Sequence, residues 1–181
     1  MAVTQDWMSY AQDEVQLPKG LRLRLTTNGL TLVPITRAHR TTQRRIENQI
    51  EAGLPGWTAV GEFRIVPARD GYRPEPDAGA VPSDQSEPGD VEYDESLLPF
   101  VVEVVSPESA NRDYHTKAAH YALRGIPAYL VVNLLTGRWT LFTRPADGEY
   151  QHTVIGAFGE KIEIPVAERT LVLDSSEFLR V

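Results

Sequence analysis

Apolar positions are densest between Leu98 and Val132. Phe100 to Val105 is a β-branched run broken by one acid, Glu103. The pattern predicts a buried strand that ends at Ser106-Pro107. A second apolar run, Ala128 to Val132, follows Gly125-Ile126-Pro127. Between the two runs the spacing predicts a helix, Ser109 to Arg124. The stretch is therefore a strand–helix–strand unit with a carboxylate inside its first strand. Such a carboxylate is costly to bury unless it is paired or metal-bound.

Elsewhere the pattern changes period. Trp7, Met8, Ala11 and Val15 have helical spacing, which predicts a short helix in an N-terminal arm, residues 1–20. Leu21, Leu23 and Leu25 alternate with Arg22 and Arg24, as in a half-buried strand. Asn28-Gly29 is a two-residue hairpin signal, so Leu30 to Val33 pairs back. Thr36 is the expected N-cap of a helix from Arg37 to Ala52, with Ile46 and Ile50 on one face and Gly53 closing it. Trp57 to Val66 reads as one strand. Pro67 to Pro99 is polar and rich in proline and glycine, with a short strand expected at Ala78 to Val81 and an acidic mobile loop at 82–96. Trp139 to Thr143, Glu149 to Ile155 and Lys161 to Ile164 predict antiparallel strands, and Ser175 to Leu179 a final helical turn. The expected architecture is a single α/β domain over residues 1–181. A mixed sheet is flanked by the two long helices and extended by a β-rich C-terminal half.

Composition narrows the function classes. The chain of 181 residues has no cysteine, which excludes disulfides, cysteine zinc sites and thiol catalysis. No apolar run approaches the roughly 20 residues that span a membrane. The N-terminus lacks the basic start and apolar core of a signal peptide, so a cytoplasmic location is the expectation. The net charge of −7 is uneven: nine acids and one base, Arg73, lie between Asp70 and Glu95. The remainder is close to neutral. A nucleic-acid partner is compatible with that balance, whereas a constitutive DNA coat protein is not.

Four features could carry chemistry: Pro76-Asp77 before the short strand, Glu103 in the buried strand, Lys117 in the helix after it, and the face around Lys117. Asp113, Lys117 and Tyr121 are four residues apart and project from one side of a helix. Two carboxylates at adjacent strand ends can share a hard cation such as Mg²⁺. Such an ion activates water and neutralises charge on a phosphate, and a nearby lysine stabilises the developing phosphorane. Two acids and a lysine are a minimal phosphodiesterase site, but these residue types are common and their spacing alone does not select it. Asp77 also reads as a turn residue, Lys117 as a solvated helix lysine, Asp113 as its i, i+4 partner and Tyr121 as packing. His39 reads as a structural contact, and Glu47 as an extra carboxylate from the first long helix. Arg37, Arg40 and Arg44 form a basic stripe, read either as a solvated face or as a phosphate-contacting one.

The run VVEVVSP, then Asp113, Lys117 and Tyr121, then Gly125-Ile126-Pro127 leading into a strand, resembles the Uma-two family of restriction endonucleases, in the PD-(D/E)XK nuclease superfamily. The hairpin at Asn28-Gly29 and His39 opening a helix match the family's N-terminal half. The resemblance extends from about Leu21 to Val154. It implies a restriction-endonuclease-like fold and Mg²⁺- or Mn²⁺-dependent hydrolysis of DNA phosphodiester bonds, with a homodimer placing one site on each strand. Asp77 and Glu103, with the carbonyl of Val104, would hold the metal. Lys117 would assist the attacking water from the helix, because the superfamily's usual lysine position is Val105 here. Asp113 and Tyr121 would support Lys117, and Arg37, Arg40, Arg44 and Arg112 would contact DNA phosphates. The sequence departs from the family at Arg24 and Leu25, where an acid is common, at Leu130 in place of tryptophan, and at Asn133 in place of aspartate. The alternatives are a nuclease-fold module that binds nucleic acid or protein without catalysis, and a hydrolase of small phosphate esters. Convergence of Asp77, Glu103 and Lys117 favours the nuclease.

Overall fold

The computed structural model describes residues 21–26, 29–34, 36–67, 74–105 and 112–181, with side chains from Thr36 onward except at 112 and 113. The expected helix at Trp7 to Val15 lies outside the described residues, as does Asn28 of the hairpin turn. The flanking strands do pair: β1 (Leu21–Thr26) runs antiparallel to β2 (Gly29–Pro34), with Thr26 opposite Gly29.

The helix α1 spans Arg37–Gly53, and the Thr36 hydroxyl caps it by accepting from the His39 amide at 3.2 Å. Its inner face is Ile46 and Ile50, both fully buried. Gly53 ends the helix for a reason of space. A Cβ there would stand 2.7 Å from Leu171 Cδ1, so any other residue would make the Leu171 side chain of the C-terminal hairpin shift.

A six-stranded mixed sheet forms the centre. Its members are β3 (Trp57–Gly61), β5 (Ala78–Pro82), β7 (Phe100–Val105), β8 (Ala128–Asn133), β9 (Arg138–Ala146) and β10 (Glu149–Ala157), in the order β10-β9-β8-β7-β5-β3. Only β7 and β8 are parallel, in register Phe100–Ala128 to Val105–Asn133. Their link contains a π-helical turn, Arg112–Lys117, that runs into α2, Ala118–Leu123. This is the strand–helix–strand unit expected from the sequence. Every residue of β7 and of β8 is buried, as expected of strands covered on both faces. Each such valine or leucine contributes about 1.5–3 kcal/mol on leaving water.

Alternation along β7 divides the core. Val102 and Val104 face α1 and the hairpin of β11 (Lys161–Val166) and β12 (Arg169–Asp174). Val101 and Val105 face Tyr121 of α2, together with Phe63, Ile65 and Tyr93. Glu103 shares the second face by the same alternation.

Two expectations are corrected. Trp57 to Val66 is not one strand. The chain turns at Glu62, whose φ is 52°, so β3 stays in the large sheet while β4 (Arg64–Val66) leaves it. β4 pairs in parallel with β6 (Glu92–Asp94), which lies inside the stretch expected to be a loop at 82–96. That stretch also holds 3-10 turns at Ser83–Gln85 and Glu95–Leu97. Buried Arg124 anchors its end by donating to Glu95 Oε2 at 2.8 Å and to the Pro67 carbonyl at 2.9 Å. Among the described residues, no helix is long and apolar enough to cross a membrane.

Candidate active site

The site sits where β5 ends beside β7. Only Ala78 and Gly79 of β5 pair with β7, opposite Val102 and Val101, so β7 outruns its neighbour. Asp77 fills the place beyond. Its amide donates to the Val102 carbonyl at 3.0 Å, and its own carbonyl accepts from the Glu62 amide at 3.3 Å. The side chain then reaches along β7, where Oδ2 accepts from the Val104 amide at 2.7 Å. The same oxygen lies 3.2 Å from Nε2 of His39, across from the first turn of α1. Asp77 is 1% exposed and His39 8%. A strand residue's N–H and C=O point to one side, so the Val104 carbonyl faces this gap as well.

Glu103 is next to Val104 and is 1% exposed. Both its oxygens are engaged by the following helix. Lys117 Nζ lies 2.6 Å from Oε2, and the Tyr121 hydroxyl donates to Oε1 at 2.8 Å. The four-residue spacing places Lys117 and Tyr121 one above the other, and both reach the strand that precedes them in the chain. Tyr121 is also packed, fully buried, with its ring 4.8 Å from that of Tyr129. Lys117 is 7% exposed, so the solvated reading of this lysine is wrong. The side chains of Asp113 and Arg112 lie outside the described ones. Arg37, Arg40 and Arg44 are exposed on α1.

Glu47, two turns beyond His39 on α1, belongs to the same neighbourhood. Gln43 donates to its Oε1 at 3.0 Å. A Cβ on Gly61 would collide with that oxygen, so the glycine leaves the space the carboxylate occupies. Partial burial raises the Glu47 pKa above 4.5, the Gln43 hydrogen bond opposes the rise, and the charges of Glu62 and Asp77 add to it. A raised folded pKa means stability that is present below 4.5 and lost as pH rises through the folded value. Glu47→Gln is therefore expected to raise the thermal midpoint at neutral pH. The gain should shrink to nothing below pH 4.5, as measured by melting curves across pH.

His39, Gln43 and Glu47 form an i, i+4, i+8 polar stripe on the inward side of α1. Weighed singly, His39 and Glu47 do not reveal the stripe, and Gln43 escapes the sequence reading altogether. The available signal is their common spacing, on a helix whose other buried face is isoleucine.

The donor set suits a hard cation. Asp77, Glu103 and the Val104 carbonyl, the ligands that the family resemblance implies, are all oxygen donors, the kind such an ion takes. Among the described residues no three acidic or histidine side chains are gathered as a metal cage. Mg²⁺ commonly binds through one or two carboxylates and waters, and needs no such cage.

The fold has a counterpart among solved structures. It is similar to the crystal structure of "a putative nuclease belonging to DUF820 from Anabaena variabilis", with a TM-score of 0.67 over 97% of this chain and 96% of that one, at 14% sequence identity. The family model of Uma2, described as "Putative restriction endonuclease", matches residues 10–175, and the chain belongs to that family. The resemblance read from the sequence is thereby borne out. No protein of curated function matches the chain.

Proposed function

We propose that the protein is a Mg²⁺- or Mn²⁺-dependent endonuclease that hydrolyses DNA phosphodiester bonds. The observation that carries this reading is the buried Lys117–Glu103 pair, 2.6 Å apart, one residue from the Val104 amide that fixes Asp77. An acid–lysine pair buried beside a second acid is costly to maintain unless its chemistry is used. Asp77, Glu103 and the Val104 carbonyl would hold the divalent ion, with Glu47 of α1 as a further carboxylate. When bound, the ion supplies charge neutralisation to the phosphate and acidifies water. Lys117 shifts between Glu103 and the incoming phosphate, orients the attacking water and stabilises the phosphorane. Water adds to phosphorus as one bridging P–O bond breaks; its proton leaves to solvent, and the departing alkoxide takes up a proton from solvent to leave as a hydroxyl, giving a phosphomonoester. Tyr121 keeps Glu103 in place during the exchange, and Asp113 supports Lys117 from the preceding turn. Arg37, Arg40, Arg44 and Arg112 bind backbone phosphates. The family resemblance adds a homodimer, with one site for each strand; a cytoplasmic location is part of this reading on the sequence alone.

A plasmid-nicking assay with and without Mn²⁺ tests the reading, with Glu103→Ala as the control. Metal-dependent nicking by the wild type that is lost in the variant is the expected result. A folded wild type that neither binds Mn²⁺ nor nicks DNA would overturn it in favour of a binding module with a vestigial site.

A further inference from the structure

His39 has no part in the reaction just described, yet it touches Asp77. Its main chain is fixed by the Thr36 cap, and its ring lies with Nε2 3.2 Å from Asp77 Oδ2. The other ring nitrogen, Nδ1, is buried and has no hydrogen-bond partner. Together these two facts assign the tautomer. A nitrogen facing a carboxylate oxygen must carry a hydrogen, so Nε2 is the donor. A buried N–H without an acceptor is rarer and costlier than a bare lone pair, so Nδ1 is the lone-pair nitrogen.

That arrangement is poor if stability alone is at stake. It leaves a polar atom unsatisfied in the interior, where an apolar side chain at this inward position of α1 would leave none. It makes sense as a hold on Asp77. The oxygen that accepts from the Val104 amide is also gripped from the opposite element, so β7 and α1 fix one carboxylate between them. Its N–H holds the oxygen from the element opposite β7. A lysine or arginine at this position would compete with the cation that the carboxylate serves.

We propose that His39 is a positioning residue for Asp77, acting through its Nε2–H. The inference rests on the assignment of Asp77 as a metal ligand. Second-layer donors of this kind orient a ligand and set its affinity for the metal.

The test uses two variants that divide the imidazole between them. The longer amide of His39→Gln can present an N–H near the place of Nε2, whereas the shorter amide of His39→Asn presents one near Nδ1. Mn²⁺ binding is measured by the electron paramagnetic resonance signal of free Mn²⁺, beside kcat and KM for nicking and the thermal midpoint. His39→Asn should weaken Mn²⁺ binding roughly 10- to 100-fold and lower kcat while leaving KM for plasmid unchanged, and His39→Gln should restore most of both. Equal Mn²⁺ affinity in wild type and His39→Asn would overturn the proposal. So would losses in both variants that merely follow the thermal midpoint. If neither variant folds, nitrogen-15 NMR of the metal-free wild type decides. A proton on Nε2 with a bare Nδ1 supports the proposal, and the reverse tautomer overturns it. A wild type that binds no Mn²⁺ removes the nuclease reading itself, and that result is seen before any variant is compared.

Discussion

Glu103→Gln is expected to lower the thermal midpoint by roughly 6–20 °C, because it puts a neutral amide in place of the carboxylate 2.6 Å from the buried Lys117 ammonium, at a cost of about 3–5 kcal/mol. Glutamine keeps the shape of glutamate and can still accept from the Tyr121 hydroxyl, so the loss isolates the ion pair. Lys117 has little route to water: its side chain is 9% exposed. The double variant Glu103→Gln, Lys117→Met should recover most of the lost stability, because it removes the buried charge and fills the space with an apolar chain. Denaturant unfolding of the four members of this cycle measures the coupling. Strict additivity would mean that the two side chains do not interact. Activity should follow a different course. Nicking is expected to be lost in both single variants and in the stable double variant, which separates a catalytic role from a structural one.

Asp77→Asn should give the complementary result: a fold of nearly unchanged stability that has lost its chemistry. The carbonyl oxygen of the new amide can occupy the place of Oδ2 and accept from the Val104 amide and from His39. The thermal midpoint should therefore stay close to that of the wild type. What disappears is the negative charge that binds the cation. Nicking should fall by about 10²–10³-fold, the range found when one electrostatic element of an active site is removed. Mn²⁺ affinity should fall with it. Retained nicking in a folded Asp77→Asn protein would remove Asp77 from the ligand set.

The parts legible in the sequence are those where one strong local signal decides the outcome. β7 and β8 announce themselves as short apolar runs, and Glu103 stands out because it interrupts one. Thr36 caps α1 as its residue type suggests. Other features rest on conformations that the residue types do not advertise. The β11–β12 hairpin turns at Ala167, with a φ of 50°, and β3 breaks from β4 at Glu62. Neither position is a glycine or an asparagine, so β12 and the break escape a reading by residue type. The role of Lys117 depends on distance across the fold. Spacing places it with Asp113 and Tyr121 on a helix, but only packing of α2 on β7 shows that Glu103 is its partner. His39 is hardest to weigh, since a single histidine on a helix has no meaning until the element opposite it is known.

The ordering of the acidic stretch has a consequence for how a polyanion meets this protein. β4 and β6 pack on the face of the sheet that carries α2, and Arg124 ties down Glu95, so Glu92, Asp94 and Glu95 belong to the framework on that side. Arg37, Arg40 and Arg44 lie on α1, against the other face. The basic stripe of α1 and the acidic residues of β6 thus lie on opposite faces of the central sheet. On the proposed reading, the field of a nucleic acid would turn α1 inward and the β6 side away before contact forms. The net charge of −7 would shorten the life of that complex, while the separation of charge across the sheet would decide which way round it begins.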